Sequence, residues 1–421
     1  MSALDTLSSR LERLAGPVEL ARPRLDVEPL PLVAPPTVEA AVELVKLAAT
    51  DKLRAIPLGL GSKLGWCGTP GHADFLLSTR RLERVVSHVP DDGTITVEAG
   101  LSMARLAARC RSGGHFLTPD VPAPARRSIG GVVAAGESGL DRLRYGPVRH
   151  HVLGTRTLLA DGSLARSGGQ LVKNVTGFDL HRLYCGSHGT LGVIVEVSLR
   201  LHPEPEREAW ITVEASSLGD AFQLARKALA LPARLVSLAI EPAAGRWRLA
   251  ARLGGLEAVV AAERTALTGA WPGARTLEGL AAREEAERAS TRQRFDGSPH
   301  PKLHVACLPS KLEGAAKLVL DVLTNARIEH GLALQPGVAE LDVELRSNVG
   351  DAQALAKLVR ALRTALARES ASLALRDAPR GALVELDPFG APPAGLELMR
   401  AIQRNLDPDG VFSTGRFAGG L

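Results

Sequence analysis

The chain has 421 residues, with 45% hydrophobic and 23% charged side chains and a formal net charge of +5. This profile excludes disordered, collagenous and coiled-coil classes and leaves room for roughly two or three domains. Basic residues are spread along the chain and aromatics make up only 3% of it, which argues against a nucleic-acid-binding role.

Apolar residues Val38, Ala41, Val42 and Val45 recur at helical spacing behind Thr37, predicting a capped helix over Thr37–Ala49. Leu53–Leu58 reads as a buried strand that runs into Gly59. Thr94–Val97 is a second strand, and Ser102 caps a helix over Met103–Arg111. Val152–Ala160 is a strand closed by Asp161 and Gly162, and Val193–Leu201 is another, ended by Pro203. From about Pro205 the texture changes. Helices over Leu218–Leu231, Lys311–His330 and Asp351–Glu369 alternate with strands at Trp210–Glu214, Leu235–Ile240, Leu303–Leu308 and Glu340–Leu345. Their order suggests two similar α/β units, each an antiparallel sheet with helices on one face. Ala281–Arg294 is rich in charge and reads as a solvated helix or linker.

The glycines are uneven: 22 of the 42 lie between Gly59 and Gly192. Glycine accumulates where the backbone turns sharply or approaches a ligand closely, although a loop-rich β domain would account for the density alone. Gly59, Leu60, Gly61, Ser62, Lys63 and Gly65 follow a predicted strand, an arrangement that lets successive amides form an anion nest beside a hydroxyl and an ammonium. A Rossmann fingerprint would need glycine at Leu64 and a helix directly after it, and a Walker loop would need GxxxxG before Lys63. Neither is present. Taken alone, the loop serves equally as a structural turn.

Three further clusters follow: SIGGVVAAGESG over residues 128–139, Tyr145-Gly146 with Arg149, and GGQLVKNVTGFDL over 168–180, continuing to Gly189, Gly192 and Ile194. In this order, residues from about Leu32 to Pro203 resemble the FAD-binding domain of the vanillyl-alcohol oxidase and p-cresol methylhydroxylase (PCMH) superfamily. The 168–180 string is most similar to the FAD-binding subunit of bacterial glycolate oxidase complexes. PDGVFSTGRF over 408–417 is similar to that family's C-terminal signature.

The resemblance implies an α+β fold. A PCMH-type FAD-binding domain of two subdomains would span residues 1–204, an α/β cap with an antiparallel sheet 205–394, and a segment returning to the FAD domain 395–421. The loop Gly59–Gly65 would hold the pyrophosphate of a noncovalent FAD. Pro119 and Ser128, Gly130 and Gly131 would lie along the flavin, with Ser138 and Gly139 close by; Gly189 and Ile194 would also approach the cofactor. Three departures bear on the contacts: Leu60 interrupts the family's run of three glycines, Glu137 stands where the family carries asparagine, and His150 stands where the family carries an acidic residue after Arg149.

Other residues are weaker signals. The string RSGGH ending at His115 carries the covalent flavin histidine in some relatives, but there it occupies the pyrophosphate loop, whereas His115 follows a helix. His300 and His304 have zinc-like spacing, yet Pro299 and Pro301 oppose a helix, so no metal is expected. Adjacent His150 and His151 suit either a site near the flavin or the surface, and Lys173 either a phosphate contact or an ordinary ion pair. Cys67, Cys110, Cys185 and Cys307 form no CxxC pair, which argues against a disulfide scaffold or a metal cluster held by this chain alone.

The resemblance also implies chemistry and partners. The catalytic relatives carry a His-x-Gly-Asp-Gly-Asn-x-His type motif that is missing from this sequence. The expectation is therefore an FAD-binding oxidoreductase subunit of a 2-hydroxyacid (glycolate) dehydrogenase complex, working with a homologous catalytic FAD subunit and an iron–sulfur subunit. The first ten residues lack the basic start and apolar stretch of an export signal, and no run of about 18 apolar residues offers a membrane span. The expected location is cytoplasmic, or peripheral at the inner membrane face through partners. A stand-alone FAD-dependent alcohol or hydroxyacid dehydrogenase and a non-catalytic assembly subunit are the alternatives. The catalytic base and the substrate carboxylate clamp are not identifiable from the sequence.

Overall fold

The computed structural model describes residues 3–21, 28–170, 178–293, 298–347, 349–412 and 415–421. Helices α1 (Ala3–Ala15) and α2 (Val38–Asp51) cover a four-stranded sheet. It comprises β1 (Glu19–Ala21), β2 (Leu30–Val33), β3 (Ala55–Leu58) and β4 (Phe75–Ser78), in the order β1-β2-β4-β3. Helix α2 starts where its cap predicts, because Thr37 Oγ1 accepts the Ala40 amide at 3.2 Å. Strands β2, β4 and β3 run parallel. Leu11, Leu44, Val45, Phe75 and Leu77 are fully buried in this part of the molecule.

A second sheet is antiparallel: β5 (Val85–Val89), β6 (Thr94–Glu98), β8 (Val152–Leu158), β9 (Leu164–Gly168) and β10 (Val193–Arg200), ordered β5-β6-β10-β8-β9. Between them in sequence, β7 (His115–Phe116) pairs with β11 (His202–Pro203). Helices α3 (Met103–Arg111) and α4 (Ile129–Ala135) bury Leu106, Ile129 and Val133 with Ile95 and Val97 of this sheet. Short helices α5 (Arg142–Tyr145) and α6 (His181–Tyr184) follow.

Residues 207–376 supply one continuous antiparallel sheet rather than the two separate ones expected. Its strands are β12 (Arg207–Ala215), β13 (Ser237–Ala243), β14 (Arg246–Gly255), β15 (Arg275–Leu277), β16 (Lys302–Ala306), β17 (Glu329–Gln335), β18 (Glu340–Ser347) and β19 (Ser372–Arg376). The order β15-β12-β14-β13-β17-β18-β16-β19 shows two four-stranded halves fused edge to edge, where Ile240 of β13 pairs with Leu334 of β17. Helices α7 (Leu218–Ala230), α8 (Glu257–Ala270), α10 (Leu312–Asn325) and α11 (Ala352–Leu366) cover one face, with Phe222, Leu267, Val319 and Leu362 in a single core.

Two expected helices differ. The Lys311–His330 helix stops at Asn325: Arg327 turns left-handed (φ 55°) and His330 already lies in β17. The segment expected to be solvated forms α9 (Gly279–Gln293), which lies against the opposite sheet face; Ala282, Ala286 and Ala289 pack with Trp210, and Glu285 pairs with Arg248 at 2.7 Å. After α12 (Arg380–Glu385) and α13 (Leu396–Leu406), the chain returns to the first sheet. Phe412 bridges to Ala55, and the Asp407 carboxylate accepts the Val411 and Phe412 amides at 2.7 and 2.8 Å.

Candidate functional site

The parallel strand β3 delivers the chain into the glycine loop with little freedom. Gly59 O accepts the Ser78 hydroxyl at 2.8 Å, and the Thr79 amide donates to Leu58 O at 2.9 Å. A Cβ on Gly59 would fall 1.8 Å from Ser128 Oγ, and Gly61 takes the left-handed conformation at φ 74°. Among the described residues, the amides of Gly59, Leu60, Gly61 and Ser62 have no hydrogen-bond acceptor. Four amides on one short loop that are free of protein acceptors and open to the cleft are available to an incoming anion.

Helix α4 forms the facing wall. Ser128 caps it, with Oγ accepting the Gly131 amide at 3.3 Å. The Gly130 amide donates instead to Ala99 O at 2.8 Å, so Gly130 fits the helix closely against β6 and offers no free donor to a ligand. The loop and α4 enclose a cleft of about 720 Å³, open mouth included, whose remaining walls come from His188 to Ile194 and from Arg416.

The charged side chains lining the cleft are Lys63, Arg127, Arg416 and Glu137. Glu137 is buried, with Oε1 3.0 Å from Lys63 Nζ and Oε2 3.6 Å from Arg127 Nε. Lys63 also lies 3.8 Å above the Trp66 ring. Three cations against one carboxylate leave the cleft positive where the loop amides are unpaired, which suits a diphosphate. At one side, Cys67 Sγ lies 3.1 Å from His188 Nδ1. Burial pushes this thiol up, but the charges of His188 and Arg416 and their hydrogen bonds outweigh it and bring it down to about 7.

Of the residues expected from sequence, Gly59, Leu60, Gly61, Ser62, Lys63, Ser128, Gly130, Gly131, Gly189 and Ile194 line this one cleft. Gly65 is elsewhere: its carbonyl accepts the Asp377 amide at 2.7 Å, tying the loop to the end of β19. Ser138 accepts the Val148 amide at 3.0 Å, and Gly139 lies against Asp120. Pro119, after a cis bond from Thr118, lines a separate cavity with Asp120, Asp141 and Arg252. Lys173 and the 171–177 part of its motif lie outside the described residues. Arg127, His188, Cys67 and Arg416 also line the cleft, beyond the residues that the sequence points to. Arg416 stands within the C-terminal string; the others carry no pattern of their own.

The remaining histidines are held elsewhere. His115 opens β7, its Nδ1 2.7 Å from Gly113 O. His151 is buried between Thr118 (2.8 Å) and His202 (3.3 Å), and burial, then the His202 charge, lowers it to about 4. His304 lies 2.8 Å from Asp342. Among the described residues, no group of three or more His, Cys, Asp or Glu is placed to hold a metal, and no helix is long and apolar enough to cross a membrane. In the separate cavity, burial and the Asp120 charge push Asp141 up to about 8, while Arg252, 2.7 Å away, opposes them.

Residues 29–168 match the family described as FAD binding domain, and the cofactor of the chain is FAD. Glycolate oxidase subunit GlcE of Escherichia coli is 35% identical over 179 residues, covering 42% of this chain and 51% of that protein. Glycolate oxidase subunit GlcD of Bacillus subtilis is 31% identical over 188 residues, covering 44% and 40%. The chain thus spans about half or less of the length of these relatives. Among solved structures, alkyldihydroxyacetonephosphate synthase superposes with a TM-score of 0.68 at 15% identity, over 92% of this chain and 77% of that one. This likeness extends the α+β fold over nearly the whole chain.

Proposed function

We propose that the chain is an FAD-dependent oxidoreductase acting as the FAD-binding subunit of a glycolate, or more broadly 2-hydroxyacid, dehydrogenase complex. The observation that carries the cofactor half is the orphaned amide loop Gly59–Ser62 beside Lys63 and Arg127. Similarity to two glycolate oxidase subunits supports the choice of complex. In this reading residues 1–204 and 395–421 hold the cofactor and 205–394 form the cap.

Bound FAD supplies a two-electron acceptor. The loop amides and Lys63 hold its diphosphate, Ser128 and Gly131 shape the opposite wall, and Gly189 and Ile194 close the third side. Glu137 keeps Lys63 and Arg127 from facing one another uncompensated in a buried site. The glycine loop contains no histidine and His115 lies in β7, which supports a noncovalently held cofactor. Four scattered free cysteines offer no cluster ligand set among the described residues, so an iron–sulfur partner would supply the electron relay and a homologous flavoprotein the substrate-oxidising site. The complex works in the cytoplasm or against the inner membrane face.

The test is the absorbance spectrum of the purified chain before and after anaerobic glycolate and D-lactate, followed by acid precipitation. Flavin bands near about 370 and 450 nm, flavin released by acid and no bleaching are the expected results. Bleaching of the chain alone would instead make it a self-sufficient dehydrogenase. A colourless protein that FAD cannot reconstitute would overturn the proposal.

A further inference from the structure

We propose that Cys67 is a peroxide-reactive thiolate site, built with His188 and Arg416 into the wall of the cleft, and that an occupied cleft shields it. The shielding rests on the FAD reading above; the reactivity does not. Three features argue for a built site rather than an incidental cysteine.

First, the sulfur's partner is fixed in place. His188 Nδ1 lies 3.1 Å from Sγ, the His188 amide donates to Ala134 O at 2.8 Å, and the backbone holds φ at 54°. The imidazole packs against Phe389 and Phe417, with both centroids 5.5 Å away. Second, Arg416 is only 3% exposed and lines the same cleft, donating to Leu64 O at 3.3 Å. Its Nε is buried without a hydrogen-bond acceptor among the described residues. A buried guanidinium with an unused donor beside a sulfur is suited to an oxyanion formed there. Third, the other thiols are the reverse. Burial pushes Cys110 to about 12 and Cys185 to about 11, and it also raises Cys307, whereas Cys67 falls to about 7.

The step is a two-electron oxidation by hydrogen peroxide or a small organic hydroperoxide. Cys67 gives its proton to His188 Nδ1, and the thiolate attacks one peroxide oxygen. The S–O bond forms as the O–O bond breaks, and the leaving hydroxide takes the proton from His188 and departs as water. Sulfur ends as a sulfenic acid, the peroxide is reduced, and Arg416 stabilises the oxygen left on sulfur.

To test this, FAD-free protein at pH 7 is exposed to hydrogen peroxide, quenched, denatured and alkylated, and the surviving thiols are counted peptide by peptide. Cys67 is expected to be lost at least about tenfold faster than Cys110, Cys185 or Cys307; equal rates would overturn the proposal. His188→Asn, which tolerates the left-handed backbone, is expected to slow Cys67 about tenfold and leave the other three unchanged. Should that variant not fold, the pH dependence of the wild-type rate decides: a midpoint near 7 supports the site, and one above about 8.5, an ordinary thiol, overturns it. Saturating FAD, with binding followed separately by flavin fluorescence, is expected to slow the loss at least tenfold. FAD that binds without slowing it overturns the shielding, whereas FAD that does not bind overturns the cofactor reading and leaves the reactivity standing.

Discussion

At Gly59 there is no room for a methyl group: the added carbon would lie 1.8 Å from Ser128 Oγ, at the cap of α4. Gly59→Ala must therefore push the loop away from the helix. The expected outcome is a loss of about 1–3 kcal/mol in stability, as for other overpacked sites, and FAD affinity at least about tenfold weaker in a flavin fluorescence titration. Unchanged affinity would show that the loop does not touch the cofactor. Glu137 presents the opposite case, a buried carboxylate between two cations. Glu137→Gln removes the buried carboxylate that both cations face, and urea unfolding of the FAD-free protein should show about 3 kcal/mol of lost stability. Saturating FAD should restore much of that loss, because a diphosphate would take over the same two cations. A deficit of the same size with FAD bound would place the diphosphate elsewhere.

Between elements, the contacts of α5 join the second sheet to the eight-stranded one. Arg142 pairs with Glu340, Arg144 donates to Gly254 O, and Leu143 lies against Gly337. Just before α5, Asp141 meets Arg252 of β14. With the facing Asp120 and Asp141 carboxyls both raised by burial, Asp141 to about 8, the folded pair keeps a proton that the unfolded chain has released. This contribution to stability is full below about pH 4 and drains away as pH rises toward 8. Melting temperature should therefore fall from pH 5 to 9, and Asp141→Asn should flatten the decline; an unchanged slope would assign the pH dependence to other groups. The local elements were the legible part of the fold, because caps such as Thr37 and Ser102 and the apolar spacing behind them are signals between near neighbours. The sequence of helix α9 reads as solvated because its buried stripe is alanine, too small to stand out among so many charges. The fusion of β13 with β17 rests on one edge pairing that no periodicity records. In the cleft, the glycine clusters were visible as clusters, but Cys67, His188 and Arg416 meet across more than a hundred residues of sequence.

For the whole molecule, the cleft is a meeting point of segments at 57–64, 127–137, 188–194 and 416. A ligand there that binds only the folded chain adds about 2.7 kcal/mol of stability at a hundred times its Kd. Thermal unfolding with FAD at that excess should shift upward as a single transition, and Gly59→Ala should lose most of the shift at the same FAD concentration. The return of Phe412 to Ala55 and the place of Arg416 in the cleft also set an order of events during synthesis. Some 350 residues must be translated after the glycine loop before its last wall exists, roughly 20–70 s at ribosomal rates. During that interval the nascent first sheet carries an exposed edge at β3, and the cradle for the cofactor is incomplete. A cofactor could therefore be seated fully only once the segment carrying Arg416 has been translated, and the ribosome-bound intermediate is the form most exposed to chaperones and to mispairing at that edge.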